Sequence, residues 1–109
     1  MSKTSHNSAI ERSPEIQEHV GVQLEGLSAL FNPDLDWVEV RGQLRSTTGN
    51  QLAGDVAVVA AIHDEEGRVI GSQMAHFFRD EFFGIGTVDI AVEVPSPAIA
   101  KVHVYPTRS

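Results

Sequence analysis

The stretch VAVVAAIHDEEG, residues 56–67, decides the fold prediction. Its first seven residues are all apolar, and valine and isoleucine at this density favour a strand over a buried helix. A strand that is apolar on both faces is typical of a central position in a sheet. The DEEG that follows predicts a tight turn whose glycine adopts a left-handed conformation. Residues 56–62 are therefore predicted to form a central strand that opens a hairpin.

Apolar and polar residues alternate on either side of this strand, with the period of two expected of a strand that has one wet face. Gly26 shifts the phase of the first alternating segment, which predicts a bulge where that strand crosses from one sheet to the other. Pro106 is predicted to end the last strand. The alternating segments are 20–31, 37–45, 87–94 and 99–105.

Residues 68–78 form the return strand of the hairpin, but their alternation is poor. We therefore expect an edge strand, bulged near Gly71. Six or seven strands at this spacing predict an all-β sandwich of immunoglobulin or fibronectin type III style. Because no convincing helix could serve as a crossover, the pairing is expected to be antiparallel throughout.

A chain of 109 residues supports one hydrophobic core, so we expect one domain. Residues 1–15 are polar and lack periodicity, which predicts a disordered tail before a sandwich at 16–109. Ser13 and Pro14 have the residue types of a helix start, and one helical turn is expected there.

Composition excludes several classes of function. The chain has no cysteine, which removes disulfides, thiolate metal sites and thiol nucleophiles. Its net charge of −7 repels phosphate backbones and anionic lipids, so we predict neither nucleic-acid binding nor membrane insertion. No apolar leader is present in residues 1–15, which predicts a cytoplasmic protein unless the chain is part of a longer exported one.

Catalytic and metal-binding patterns are weak. His63 and His103 fall on outward positions of strands that a sandwich could place side by side, where Asp64 or Glu66 could join them. However, none of the histidines has the spacing of a zinc ligand set, and the acidic residues 64–66 lack the calcium-loop pattern. Neither a serine nucleophile elbow nor a glycine-rich phosphate loop is present. We predict a protein that is not an enzyme and holds no metal or cofactor.

Four of the five phenylalanines, Phe77, Phe78, Phe82 and Phe83, lie around the predicted edge strand and the loop after it. Alternation can bury one ring of each adjacent pair, so at least one ring is exposed unless the loop folds over the end of the sandwich. The alternative is that all four rings fill the core. Exposed aromatic rings beside an open strand edge predict a surface that binds another protein or a second copy of this chain.

A function from another class stays open on sequence grounds. Trp37 and Tyr105, with outward polar groups, could bind a small ligand or a carbohydrate. One tryptophan and one tyrosine are few for stacking on sugar rings. The leading prediction is therefore a non-catalytic interaction module.

Residues 38–104 resemble the FxLYD domain, a small sandwich module of prokaryotic proteins. In the motif that names the family, Ile62 stands at the leucine position and Asp64 at the aspartate position, whereas Ala60 replaces phenylalanine and His63 replaces tyrosine. The resemblance implies an immunoglobulin-like sandwich, and it implies no catalytic residues because the family has none established. The shared order of features is VEVRGQL at 38–44, a polar loop, the strand at 56–62 and DEEGRVI at 64–70.

Overall fold

The computed structural model describes residues 4–5, 10–32, 35–47, 49, 51–94 and 99–108. These residues form two sheets that pack against each other, which confirms the predicted all-β sandwich. The elements are β1 (Thr4–Ser5), β2 (Ile10–Glu11), α1 (Pro14–Val20), β3 (Val22–Asn32), β4 (Trp37–Ser46), β5 (Val56–His63), β6 (Val69–Phe77), a 3-10 turn (Arg79–Glu81), β7 (Ile85–Glu93) and β8 (Lys101–Arg108). One sheet, which we call the β4 sheet, has the strand order β1-β3-β4-β7, and the other, the β5 sheet, has the order β2-β8-β5-β6.

The strand β5 is central, as its sequence predicts. It pairs along its whole length with β6 on one side and with β8 on the other. Every residue from Val56 to Ile62 is buried. The even-numbered side chains of this strand belong to the core between the two sheets, which explains why the segment is apolar at every position.

The core is built from alternate residues of both sheets. Valine is its main residue type, which suits the pleated and closely packed inner faces of a sandwich. Phe82 and Leu52 reach this core from the segments between strands. The strand residues at its centre include Leu24, Ala29, Val38, Val40, Leu44, Val58, Ala60, Val88, Val92, Val102 and Val104.

The bulge predicted at Gly26 is present, but β3 does not cross between sheets. Gly26 has a φ of +60°, and the register shifts between Glu25 and Ser28, yet both halves of β3 pair with β4. Both halves can pair with the same strand because β4 has a glycine, Gly42, opposite the bulge. An added Cβ at Gly42 would lie 2.7 Å from Leu27 Cδ2. Because Gly42 has no side chain, the bulged Leu27 packs over it and the strand pairing continues.

The edge strand β6 also follows its prediction. It lies at the end of the β5 sheet, and Ile62 and His63 pair with Gly71 and Val69, which leaves Ile70 as the extra residue. A Cβ at Gly71 would lie 2.5 Å from the carbonyl oxygen of Glu93. The glycine therefore allows the backbones of β6 and β7 to approach closely across the side of the sandwich.

Antiparallel pairing throughout was a wrong expectation, because β2 pairs with β8 in parallel, with Ile10 opposite Val102. The chain leaves β2 through α1 towards the other sheet, so no hairpin constrains the direction of β2. This strand lies within the range predicted as a tail, and the predicted boundary at residue 16 falls inside α1. Ile10 packs against the core. Residues 1–3 and 6–9 of the predicted tail lie outside the described residues.

The helix α1 starts where the sequence predicts but is longer than the one turn expected. Ser13 is its N-cap, Pro14 is its first residue, and Gly21, whose φ is +83°, is its C-cap. Gln17 and Val20 are buried, and Gln17 Oε1 accepts a hydrogen bond of 2.9 Å from the backbone N–H of Leu24. Packing against the sandwich therefore stabilises the second turn, as is usual for short helices.

The last strand continues beyond the proline that was predicted to end it. Pro106 lies opposite Val58 and is buried, and β8 runs on to Arg108. β2 pairs with the other side of β8 at Val102 and His103. A strand accommodates proline where the proline nitrogen faces an unpaired side, so the expected stop at residue 106 was wrong.

Candidate interaction surface

The structure divides each phenylalanine pair into one ring that is packed and one that is exposed. Phe82 is 4% exposed, and Phe77 is half-buried with its ring edge-on to Phe82 at a centroid distance of 6.2 Å. In contrast, Phe78 is 49% exposed and Phe83 is 79% exposed. Two rings thus close the end of the core, and two face solvent.

Gly86 on β7 makes room for the packed pair. A Cβ at this position would lie 2.8 Å from Phe77 Cε1 and 2.9 Å from Phe82 Cε2. The 3-10 turn returns the chain from β6 towards β7, and the backbone N–H of Arg79 donates a 2.9 Å hydrogen bond to Asp55 Oδ1. The exposed rings are therefore carried by a segment whose base is packed and hydrogen-bonded.

Further apolar side chains are exposed on both sides of this turn. Met74 on β6 is 47% exposed, and Ile85 at the start of β7 is about equally exposed. β6 pairs with β5 alone, so its second edge has no ladder partner among the described strands. An unpaired strand edge next to large apolar groups is a template for strand addition.

The outer faces of the two sheets differ in charge. The face of the β4 sheet carries ion pairs between Arg45 and Glu25 at 2.9 Å and between Arg41 and Asp89 at 3.6 Å. On the outer face of the β5 sheet, Glu11 of β2 is in register with His103 and pairs with Lys101 of β8 at 2.9 Å. The remaining outward residues described in the middle of β5, β6 and β8 carry no aspartate, glutamate, lysine or arginine. We call these residues the uncharged face: Ala57, Val59, Ala61, Ser72, Met74, His76, His103, Tyr105 and Thr107.

The structure places His63 and His103 side by side, with ring centroids 6.5 Å apart. Ser13 Oγ lies 2.6 Å from His103 Nε2, and the Tyr105 ring lies 4.6 Å from the His103 ring, centroid to centroid. Burial lowers the pKa of His103, and this effect exceeds the opposite influence of the Glu11 carboxylate. Burial between the helix start and the end of the uncharged face thus favours the neutral form of this histidine.

The carboxylates that were considered as metal ligands serve the hairpin turn instead. Asp64 Oδ1 accepts hydrogen bonds of 2.9 Å from the backbone N–H groups of Glu66 and Arg68. These bonds, the Arg68 one foremost, lower the pKa of Asp64. The Glu66 carboxylate pairs with Arg68 Nη2 at 2.8 Å. Within the described ranges, no group of three histidine, aspartate or glutamate side chains is arranged to hold a metal ion.

The residues considered for ligand binding lie apart. Trp37 begins β4, whereas Tyr105 lies on β8 in the opposite sheet, so the two rings do not form one platform. A hollow of about 180 Å³ is lined by Ala53, Asp55 and Arg108, among others, and one of about 230 Å³ lies at the 64–68 turn. Both are smaller than the ~300–1,000 Å³ usual for small-molecule sites.

Among the described helices, none has the length and apolar character needed to cross a membrane.

Comparison with known proteins finds no relative of this chain. No family model, no curated protein and no solved structure matches the chain.

Proposed function

We propose that the chain is a non-catalytic protein-interaction module, and that it binds its partner at the end of the sandwich where β6 leads into the 3-10 turn. The observation that carries this proposal is the exposure of Phe83 and Phe78, at 79% and 49%, beside an unpaired strand edge. Clustered exposed aromatic groups are typical of binding surfaces, where they supply most of the affinity.

The packing beneath these rings supports recognition. Phe77 and Phe82 hold the segment from below, and the Arg79–Asp55 hydrogen bond fixes its start. A binding element that is already ordered loses less conformational entropy on association. The partner would add an extended segment along β6, with backbone hydrogen bonds, and would receive Phe78 and Phe83 in apolar pockets.

The finer fold class is part of this proposal. The long strands have the orders β3-β4-β7 and β8-β5-β6, which correspond to strands A-B-E and F-C-C′ of an immunoglobulin sandwich. This order supports an immunoglobulin-like module of the FxLYD kind. Sandwiches of this class often act as binding domains, although the fold alone does not specify a function.

A crosslinking experiment followed by affinity measurement tests the proposal. A photoreactive phenylalanine analogue at position 83, in the full chain, would capture the partner from cells of the source organism, with the analogue at Leu35 as a matched exposed control. The captured protein is then purified and titrated by calorimetry against wild type, Phe78→Ser/Phe83→Ser and Leu35→Ser. Phe82 is left unchanged because it is buried.

We expect the double variant to weaken binding by at least about tenfold, which is the effect of ~1.4 kcal/mol. The Leu35→Ser variant should bind as wild type does. Equal dissociation constants for all three proteins would overturn the proposal, as would equal capture from positions 83 and 35.

A further inference from the structure

The charges around β6 are concentrated at its two ends. The strand itself, Val69–Phe77, contains no aspartate, glutamate, lysine or arginine. The turn that leads into it carries three carboxylates and one arginine, and so does the group of residues at its far end, which the Arg79–Asp55 hydrogen bond holds together. An uncharged edge strand therefore lies between two acidic ends. The first end consists of Asp64, Glu65, Glu66 and Arg68, and the second of Asp55, Arg79, Asp80 and Glu81.

Carboxylates at both ends are available to a cation from another molecule. Asp80 and Glu81 are exposed in the 3-10 turn, and neither forms an ion pair with another residue in the described part of the chain. At the first end, Arg68 pairs with two of the three carboxylates, which leaves the exposed Glu65. The edge therefore has negative charge to offer exactly where an added segment would begin and end.

We propose that the segment that adds along β6 is basic at both ends and uncharged in its middle. This inference rests on the partner binding proposed above and specifies the chemistry of the partner. The nine residues of β6 span ~30 Å, so the basic side chains of an extended segment would lie about eight to ten residues apart. One would lie near Glu65 and the other near Asp80 and Glu81. Because both ends of β6 are acidic, the pattern fits a segment of either direction.

Charge also decides between a basic partner and a second copy of this chain. The net charge is −7, so a second copy would on average bring more negative charge to an edge that is already acidic at both ends. A basic segment is attracted instead, which speeds its association and rejects acidic competitors. In this arrangement the exposed rings of Phe78 and Phe83 supply apolar contact, and the carboxylates supply selectivity.

Fluorescence anisotropy with three labelled synthetic peptides tests the proposal on the full chain. The first peptide has nine alternating valine and threonine residues with two lysines at each end, and the second has glutamates in place of the lysines. The third keeps the lysines but has proline at every second position of its middle, which removes backbone hydrogen-bond donors that a strand needs. Each is titrated at about 0.15 M salt, where exposed charges more than ~8 Å apart are largely screened.

The variant Asp80→Lys/Glu81→Lys reverses the charge at the partner-binding end. Its matched control is Glu15→Lys/Glu18→Lys, which changes the net charge equally at two exposed positions of α1, the helix that packs against β3 and β8. If the reversed variant fails to fold, Asp80→Asn/Glu81→Gln removes the same two charges with little change of shape.

We expect wild type to bind the lysine peptide at least about tenfold more tightly than either of the other two. The preference over the glutamate peptide should be lost in Asp80→Lys/Glu81→Lys and kept in Glu15→Lys/Glu18→Lys. The basic segment is overturned if wild type binds none of the peptides, if it binds the lysine peptide no better than the glutamate or the proline peptide, or if both variants lose the preference equally.

These outcomes are separable from the test of the proposed function. If the captured partner needs Phe78 and Phe83 but the lysine peptide is not preferred, the basic segment fails and the proposed function stands. If the lysine peptide is preferred but the captured partner binds Phe78→Ser/Phe83→Ser as it binds wild type, the proposed function fails and the preference of β6 for basic segments stands.

Discussion

The ring of Phe82 stands edge-on to the ring of Phe77, with centroids 6.2 Å apart and planes 85° from parallel. This geometry is favourable for aromatic pairs because the positive edge of one ring meets the negative face of the other. Phe82 and Phe83 are neighbours in the chain but differ in environment, because Phe82 is buried in the core and Phe83 is exposed to solvent.

The first prediction compares the effects of Phe82 and Phe83 on the free energy of unfolding. Phe82→Ala should lower the free energy of unfolding by about 3–5 kcal/mol, because it removes a buried ring from the core. Phe83→Ala, at a side chain that is 79% exposed, should change it by less than about 0.5 kcal/mol. Urea unfolding of both variants measures the difference. Similar losses in the two would show that Phe83 is packed.

A second prediction concerns the space at Gly86. A methyl group there meets the rings of Phe77 and Phe82 at under 3 Å, so Gly86→Ala should destabilise the fold by about 1–3 kcal/mol through overpacking. Gly54→Ala is the matched control, because nothing lies within 4 Å of its added Cβ. Thermal unfolding of the two variants compares them. The close approach would be refuted if Gly86→Ala were as stable as Gly54→Ala.

A third prediction concerns the hydrogen bond between α1 and the edge of β3. Gln17→Ala would leave the backbone N–H of Leu24 without its acceptor, at a cost of about 1–3 kcal/mol. Amide hydrogen exchange should accelerate at Leu24 in this variant. Glu18→Ala removes an exposed side chain from the same helix and should leave the exchange at Leu24 unchanged. Equal exchange in both variants would contradict a role for Gln17.

The fourth prediction follows from the lowered pKa of His103. Because burial disfavours its protonated form in the folded state, the unfolded state binds more protons below the ordinary histidine pKa of about 6.5. The contribution of His103 to stability is therefore unchanged above this pH and falls as the pH drops from there towards the folded-state pKa. Urea unfolding between pH 7.5 and 5 measures this loss. His103→Gln should flatten the profile in that window, and an unchanged slope would contradict the assignment.

The local features of the fold could be predicted, whereas the long-range pairings could not. The hairpin at Asp64 and Gly67 depends on residues within a few positions of each other, and so does the bulge at Gly26. The parallel pairing of β2 with β8 depends on segments about as far apart as Ser13 and His103, which are 90 residues apart. A local sequence pattern contains no information about pairing between segments so far apart. The prediction that Pro106 ends β8 was wrong because the effect of a proline on a strand depends on which side of the strand is paired.

The candidate site shows the same division. That one ring of each phenylalanine pair would be exposed follows from alternation. The uncharged face was missed, although the absence of charge at residues 57, 59 and 61 was visible. Its recognition also requires the knowledge that β6 and β8 flank β5, which joins Val59 to Met74 and Tyr105.

The Gln17–Leu24 hydrogen bond has a consequence for aggregation. Gln17 occupies a backbone N–H of β3, and α1 packs against both β3 and β8. A chain that lost this helix would leave that N–H without its acceptor and would uncover the neighbouring backbone of β3. Backbone groups exposed in this way are a template for the addition of a strand from another chain.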